Sequence, residues 1–134
     1  MKIVKDYPPN ILAIDAHFHT IGKPILYTYG ETIYNPLGIH IPDFLAAHEF
    51  MHVMQQKKIG GPELWWKKYI EDQEFRYGEE LQAHRTELSM LLSEVRDRNA
   101  KAKLVMAVAA RLVAPLYGYS NKKLLEAQRE LQRS

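Results

Sequence analysis

Residues 42 to 61, PDFLAAHEFMHVMQQKKIGG, limit the fold more than any other stretch of this chain. Pro42 and Asp43 open a helix, with Asp43 as its candidate N-cap, and Gly60-Gly61 close it. Inside it stand His48, Glu49 and His52, in the order H-E-x-x-H, among Phe44, Leu45, Phe50, Met51, Val53 and Met54. Two imidazoles on a half-buried helix need partners, because burying a polar group without one is costly. Any fold for this chain must therefore bring polar groups, or an ion, to one face of this helix.

The spacing says what kind of partner. Positions i and i+4 of a helix lie on one face, one turn apart, so His48 and His52 project side by side. Two imidazole nitrogens placed so can reach one Zn²⁺ at roughly 2.0–2.1 Å. Glu49 lies about 100° further round the helix. It is poorly placed as a ligand and well placed as a base toward a water on the metal. With six histidines and eleven glutamates in the chain, coincidence produces this motif in roughly two of a hundred such sequences. The helical context lowers that further.

A zinc site that does chemistry needs a third protein ligand and one open position. The chain has no cysteine, so that ligand is a histidine or a carboxylate. The later helical stretch YGEELQAHRTE offers Glu79, Glu80, His84 and Glu87. Glu80, His84 and Glu87 fall at i, i+4 and i+7 and share a face, whereas Glu79 turns toward solvent. Glu80 is the candidate third ligand, with His84 and Glu87 as alternatives. Whichever of these is not a ligand is expected to orient one or to polarise a substrate carbonyl. Tyr77, Tyr117 and Tyr119 are candidate phenols for stabilising an oxyanion, and Tyr77 lies nearest Glu80 in sequence. Arg85 is a charged alternative.

HEFMH followed by a glutamate in ELQA resembles the gluzincin branch of zinc metallopeptidases. That resemblance implies zinc held by His48, His52 and Glu80, with Glu49 as the base. The longer run from HEFMHVMQQ through GPELWWKKYIEDQEFRYGEELQAHRTE, with APLYG after it, resembles small uncharacterised zincin-like proteins of phages and prophages. It implies an origin, and partners among phage structural proteins, rather than a substrate. The chain lacks the extra domain of large gluzincins, and it lacks the H-x-x-G-x-x-H continuation that marks metzincins.

The rest of the chain sets the frame. In the first forty residues, ILAIDAHFHT and PILYTYGETIYNP read as strands punctuated by Gly22, Pro24, Gly30, Pro36 and Gly38. After the motif helix come a short helix from Pro62 and a longer one over 73–98, whose stripe is Leu81, Leu88, Leu91, Leu92 and Val95. A further helix runs from about Ala100 to Val113. A last one, SNKKLLEAQRELQ, is capped by Ser120 or Asn121. Strands first and helices after predict an α+β fold, a minimal zincin-like domain over 1–134 with a small N-terminal sheet and packed helices. Of the adjacent Trp65 and Trp66, one is expected inside and the other partly exposed. In a strand, His17 and His19 face one way, toward water or a cleft. The phrase IDAHFHT resembles the first metal strand of amidohydrolases, but their barrel takes about 250 residues. His40, just before Pro42, reads as a loop residue.

Charge is uneven. Residues 1–95 carry 9 Lys+Arg against 13 Asp+Glu, and residues 96–134 carry 9 against 3. The basic end reads as a solvated helix face rather than a nucleic-acid surface. The N-terminus has no signal-like apolar run, and LVMAVAA is too short to span a bilayer. The expectation is a cytoplasmic or virion-associated protein. Its expected activity is zinc-dependent hydrolysis of a peptide or protein substrate, with Glu49 as base and His84 and Tyr77 assisting. The alternative is a non-enzymatic phage structural or assembly protein in which zinc is a staple, since a small core gains from a metal.

Overall fold

A computed structural model describes residues 1–133; Ser134, the last residue of the expected 1–134 domain, lies outside the described residues. The fold is α+β. A three-stranded sheet, β1 (Lys2–Val4), β2 (Tyr27–Tyr29) and β3 (Thr32–Tyr34), has the order β1-β3-β2. β1 runs parallel to β3, with Ile3 opposite Ile33. β2 and β3, from the stretch read as strand around Gly30, form an antiparallel hairpin in which Thr28 pairs with Ile33 and Gly30 has a positive φ of 65°.

ILAIDAHFHT is not a strand. It forms helix α1 (Ile11–Phe18), and His19 closes it in the left-handed region at φ 55°. The run is apolar enough for either state, and helical spacing decides which residues go inside: Ile14 and Phe18, four apart, are buried. The side-by-side projection expected for His17 and His19 therefore disappears. His17 lies in the last turn, His19 caps it, and both are exposed. Asp15 closes the corner instead, as its Oδ1 accepts from the Ile21 amide at 2.9 Å.

The motif helix is α2 (Asp43–Ile59), ended by Gly60 in a left-handed conformation. Its start is as expected, but Asp43 is its first helical residue and no side chain caps it; Pro42 holds the cap position. Next come α3 (Pro62–Glu71) and α4 (Gln73–Ser93). The stretch expected to run to residue 98 stops at Ser93 because Asp97 caps the next helix, α5 (Arg98–Leu112), accepting from the Ala100 amide at 2.8 Å. A single 3₁₀ turn at Pro115–Tyr117 leads to α6 (Leu124–Gln132). That helix starts after Lys123, so neither Ser120 nor Asn121 is its cap.

Two apolar clusters hold these elements. One joins α4, α5 and α6 through Leu88, Val105, Val108, Leu112, Ala127 and Leu131. The other joins α1, the hairpin and α3 through Ile14, Phe18, Tyr27, Trp65, Trp66 and Tyr69. Both tryptophans are buried, contrary to the expected split. Each indole N–H finds a carbonyl or carboxylate: Trp66 donates to the Thr28 carbonyl, and Trp65 to Glu79 Oε1, both at 2.9 Å. Helix α4 belongs to the first cluster on one side and faces α2 on the other. The α2–α4 seam is where the polar residues collect. No helix among the described residues is long and apolar enough to cross a membrane.

Candidate metal centre

His48, Glu49 and His52 on α2, and Glu80, His84 and Glu87 on α4, are all buried, at 1–6% exposure. Six ionisable side chains in one seam require an arrangement that satisfies each of them.

The outer nitrogens are accounted for first. His48 Nδ1 donates to Glu87 Oε1 at 3.0 Å, and Glu87 is in turn paired with Arg111 of α5. His52 Nδ1 lies 2.8 Å from Gln55 Oε1. The Gln55 amide nitrogen donates to the Glu79 carbonyl and to Gln82 Oε1, both at 2.9 Å. That fixes the amide oxygen toward the imidazole, so His52 also donates from Nδ1.

The inner nitrogens follow. With Nδ1 donating, the neutral rings present bare Nε2 lone pairs. His48 Nε2 lies 3.3 Å from Glu80 Oε1, and His52 Nε2 lies 3.3 Å from Glu80 Oε2. Acceptors there face a carboxylate, so a proton or a metal ion must lie among them. Without a metal the cluster recruits protons. Burial alone would depress the His48 and His52 cations, but the hydrogen bonds and charge of Glu80, with Glu49 behind, hold both above the ordinary imidazole value. Burial pushes Glu80 upward, and the two imidazoles outweigh it, holding Glu80 well below the usual carboxylate range.

The donor set suits a metal on two counts. Tetrahedral zinc ligands at roughly 2.0–2.1 Å stand about 3.3 Å from one another, which is the His48–Glu80 and His52–Glu80 separation. Of the three buried carboxylates, Glu87 is paired with Arg111, whereas Glu49 and Glu80 have no Lys or Arg partner among the described residues; a divalent cation would balance these two. Two donor sets among the described residues have ligand atoms all within 4.8 Å of one another: His48, Glu80 and His84, and His48, Glu49 and His52. With both Nε2 atoms 3.3 Å from Glu80, His48, His52 and Glu80 are the residues that would hold a metal lying between the two imidazoles.

Glu49 Oε2 is 3.7 Å from His48 Nε2. Its other oxygen accepts from the Thr28 hydroxyl at 3.0 Å. Thr28 is itself pinned, because its carbonyl accepts from Gln56 Nε2 and from Trp66 Nε1, both at 2.9 Å. Gln56 Oε1 also takes the Gly30 amide at 2.7 Å, tying the hairpin to α2.

His84 joins the cluster on its far side. Its ring centroid is 4.6 Å from that of His48, and its Nδ1 donates to the Glu80 carbonyl at 2.7 Å. Burial first and the His48 charge second push it down to about 3, so it stays neutral. Glu87 lies behind His48 rather than beside His52, which makes it an orienting carboxylate.

The tyrosine expectation changes. Tyr77 points away and donates to Glu130 Oε1 of α6 at 2.7 Å. Arg85 also turns that way, donating to the Glu130 carbonyl. The phenols near the cluster are Tyr69, which donates to Glu80 Oε2 at 2.6 Å, and Tyr117, whose hydroxyl is 3.4 Å from Glu80 Oε1. Burial, then the Glu80 charge, raises both phenols well above their ordinary value, so they remain O–H donors. Glu79 is not a free solvated side chain, since it accepts from Trp65. His40 lies exposed in a loop.

Thr28, Gln55, Tyr69 and Arg111 were not singled out from the sequence. Only Gln55 had a signal there: it sits three residues after His52, on the same helix face. No family model, curated protein or solved structure matches this chain.

Proposed function

We propose that the protein is a zinc-dependent hydrolase acting on peptide bonds, with His48, His52 and Glu80 as ligands and Glu49 as general base. The observation that carries this reading is the inward pair of Nε2 atoms converging on Glu80 while both Nδ1 atoms are occupied. A bound zinc supplies Lewis acidity, which acidifies water and polarises a carbonyl. The chain's own groups do the rest. Glu49, held by Thr28, takes a proton from the attacking water and passes it to the departing amine as the C–N bond breaks. Glu87 and Gln55 fix the two rings in the tautomer that leaves Nε2 free. The Tyr117 hydroxyl, with only a long contact to Glu80, is free to turn toward an oxygen that gains charge.

Burial favours a second reading, a structural zinc staple. His48, Glu49, His52 and Glu80 are each only 3–6% exposed, and a structural site excludes water. Glu49 weighs the other way: it is no ligand in this arrangement, and it lines the cavity beside the cluster.

Elemental analysis of the purified chain, run beside a peptide-library cleavage assay, tests both. Hydrolysis requires one zinc per chain and cleavage that stops on chelation. One zinc per chain with no cleavage of any library peptide gives the staple. A chain with no metal, whose melting does not respond to a chelator, removes both.

A further inference from the structure

The cavity beside the cluster has a volume of about 80 Å³. An apolar cavity of about 150 Å³ is enough to hold benzene, and pockets for drug-sized molecules run to about 300–1,000 Å³. This one has room for a few heavy atoms. It has a polar end, formed by His48, Glu49, His52 and Glu80, and its remaining walls are largely apolar, among them Leu26, Trp66 and Leu116.

Part of its wall is α1, which supplies no ligand and no base. Ile14 and Phe18 reach the cavity from that helix, with exposures of 2% and 7%. The opposite face of α1, with Leu12, Ala13, Ala16 and His17, is in solvent. Phe18 is held by its neighbours, edge-on to Tyr69, which lines the same cavity, at 5.8 Å and with the Arg76 guanidinium 5.1 Å from its ring centre. A ring held on two sides makes a firm wall, and its size sets the depth of the chamber.

We infer that Ile14 and Phe18 determine specificity, restricting the group beside the reacting carbonyl to a small aliphatic one, from methyl to isopropyl, and excluding aromatic ones. This inference rests on the zinc reading above. It identifies the substrate class as peptides with alanine- or valine-sized residues at the bond that is cut.

Hydroxamates test it without relying on turnover, because they bind metal through the head group and carry a side group of chosen size. The probes are acetohydroxamate, isobutyrohydroxamate and benzohydroxamate, titrated calorimetrically into the zinc-loaded full chain. The parent should bind the two aliphatic probes at least tenfold more tightly than the aromatic one. Phe18→Ala should bring benzohydroxamate level with isobutyrohydroxamate or past it while keeping one zinc. Phe18→Leu, a milder change that guards against a folding failure, should narrow the gap. A zinc-loaded parent that binds benzohydroxamate as tightly as acetohydroxamate overturns the inference and leaves the metal centre standing. So does a ranking unchanged in both Phe18 variants. A chain without zinc overturns the metal centre and this inference together, and metal analysis of the same samples tells the two failures apart.

Discussion

Two short segments carry a carboxylate and two histidines, and they end in opposite situations. HEFMH becomes a buried cluster with a partner for every ring. IDAHFH becomes the last turn of a short helix, with both imidazoles in water. Composition does not separate them. In α2 the histidines are four apart and share a face, and α4 passes across that face with Glu80 and Glu87. In α1 they are two apart, which on a helix turns them about 200° from each other, and both are exposed. Burying a pair of imidazoles takes a shared face and a second element that supplies the countercharge.

The sharpest way to break this comparison is to remove one histidine from each segment. His52→Ala should abolish zinc binding, whereas His17→Ala should leave one zinc per chain and stability within about 0.5 kcal/mol of the parent. Zinc at a hundredfold excess over its Kd stabilises the chain by about 2.7 kcal/mol, so only the first variant should lose the difference between its melts with and without chelator. Equal effects from the two substitutions would sink the assignment of the site to α2.

Glu49→Gln separates base from ligand. It should keep zinc content and melting near the parent's and reduce cleavage of a peptide cut by the parent by about 10²–10⁴-fold. Cleavage at the parental rate would mean that Glu49 is not the base.

Glu87→Gln probes the shell that α1 lacks. It replaces the carboxylate behind His48 with an amide and leaves Arg111 without its partner. Loss of such a partner lowers metal affinity by about 10–100-fold, readable by competition with a chelator. Unchanged affinity would show that the His48 ring needs no help from α4.

The pH dependence follows from the raised imidazoles. In the metal-free chain their protonated forms stabilise the fold, most fully below the ordinary value of about 6.5, and this contribution fades as pH rises through the raised values. Zinc requires the deprotonated rings. The gap in Tm between zinc-loaded and chelated protein should therefore widen from pH 6 to pH 9, and a gap that narrows over that range contradicts the ligand set.

Glu79 tests the phase of α4, with a cost in stability and none in metal binding. Glu79→Ala loses the bond from Trp65 Nε1 and leaves a buried indole N–H unpaired, costing about 1–3 kcal/mol. Zinc stoichiometry should not change. Release of metal by this variant, and not by Glu80→Ala, would mean that the phase assigned to α4 is wrong.

Helices α2 to α6 were legible, apart from their exact ends, because their signals are local. Gly60 ends α2 with a positive φ, Pro62 opens α3, and Gly30 turns the hairpin. The misreading of α1 has a physical cause. ILAI is a short apolar run whose composition suits a strand or a buried helix turn, and its length does not arbitrate. The contacts of Ile14 and Phe18 with Tyr27, Trp65 and Tyr69 decide it.

The sequence by itself determined that His48 and His52 share a face, that Glu49 stands off it, and that Glu80, His84 and Glu87 line one side of a later helix. Helical periodicity guarantees these relations without reference to the rest of the chain. Only the tertiary structure decided how the two faces meet. It put Glu80 between the inner nitrogens, set Glu87 and His84 behind them, turned Tyr77 toward α6, and drew Tyr69 and Tyr117 toward Glu80. Those roles depend on which elements cross and at what depth. That is fixed by packing between segments distant in sequence, where no local period applies.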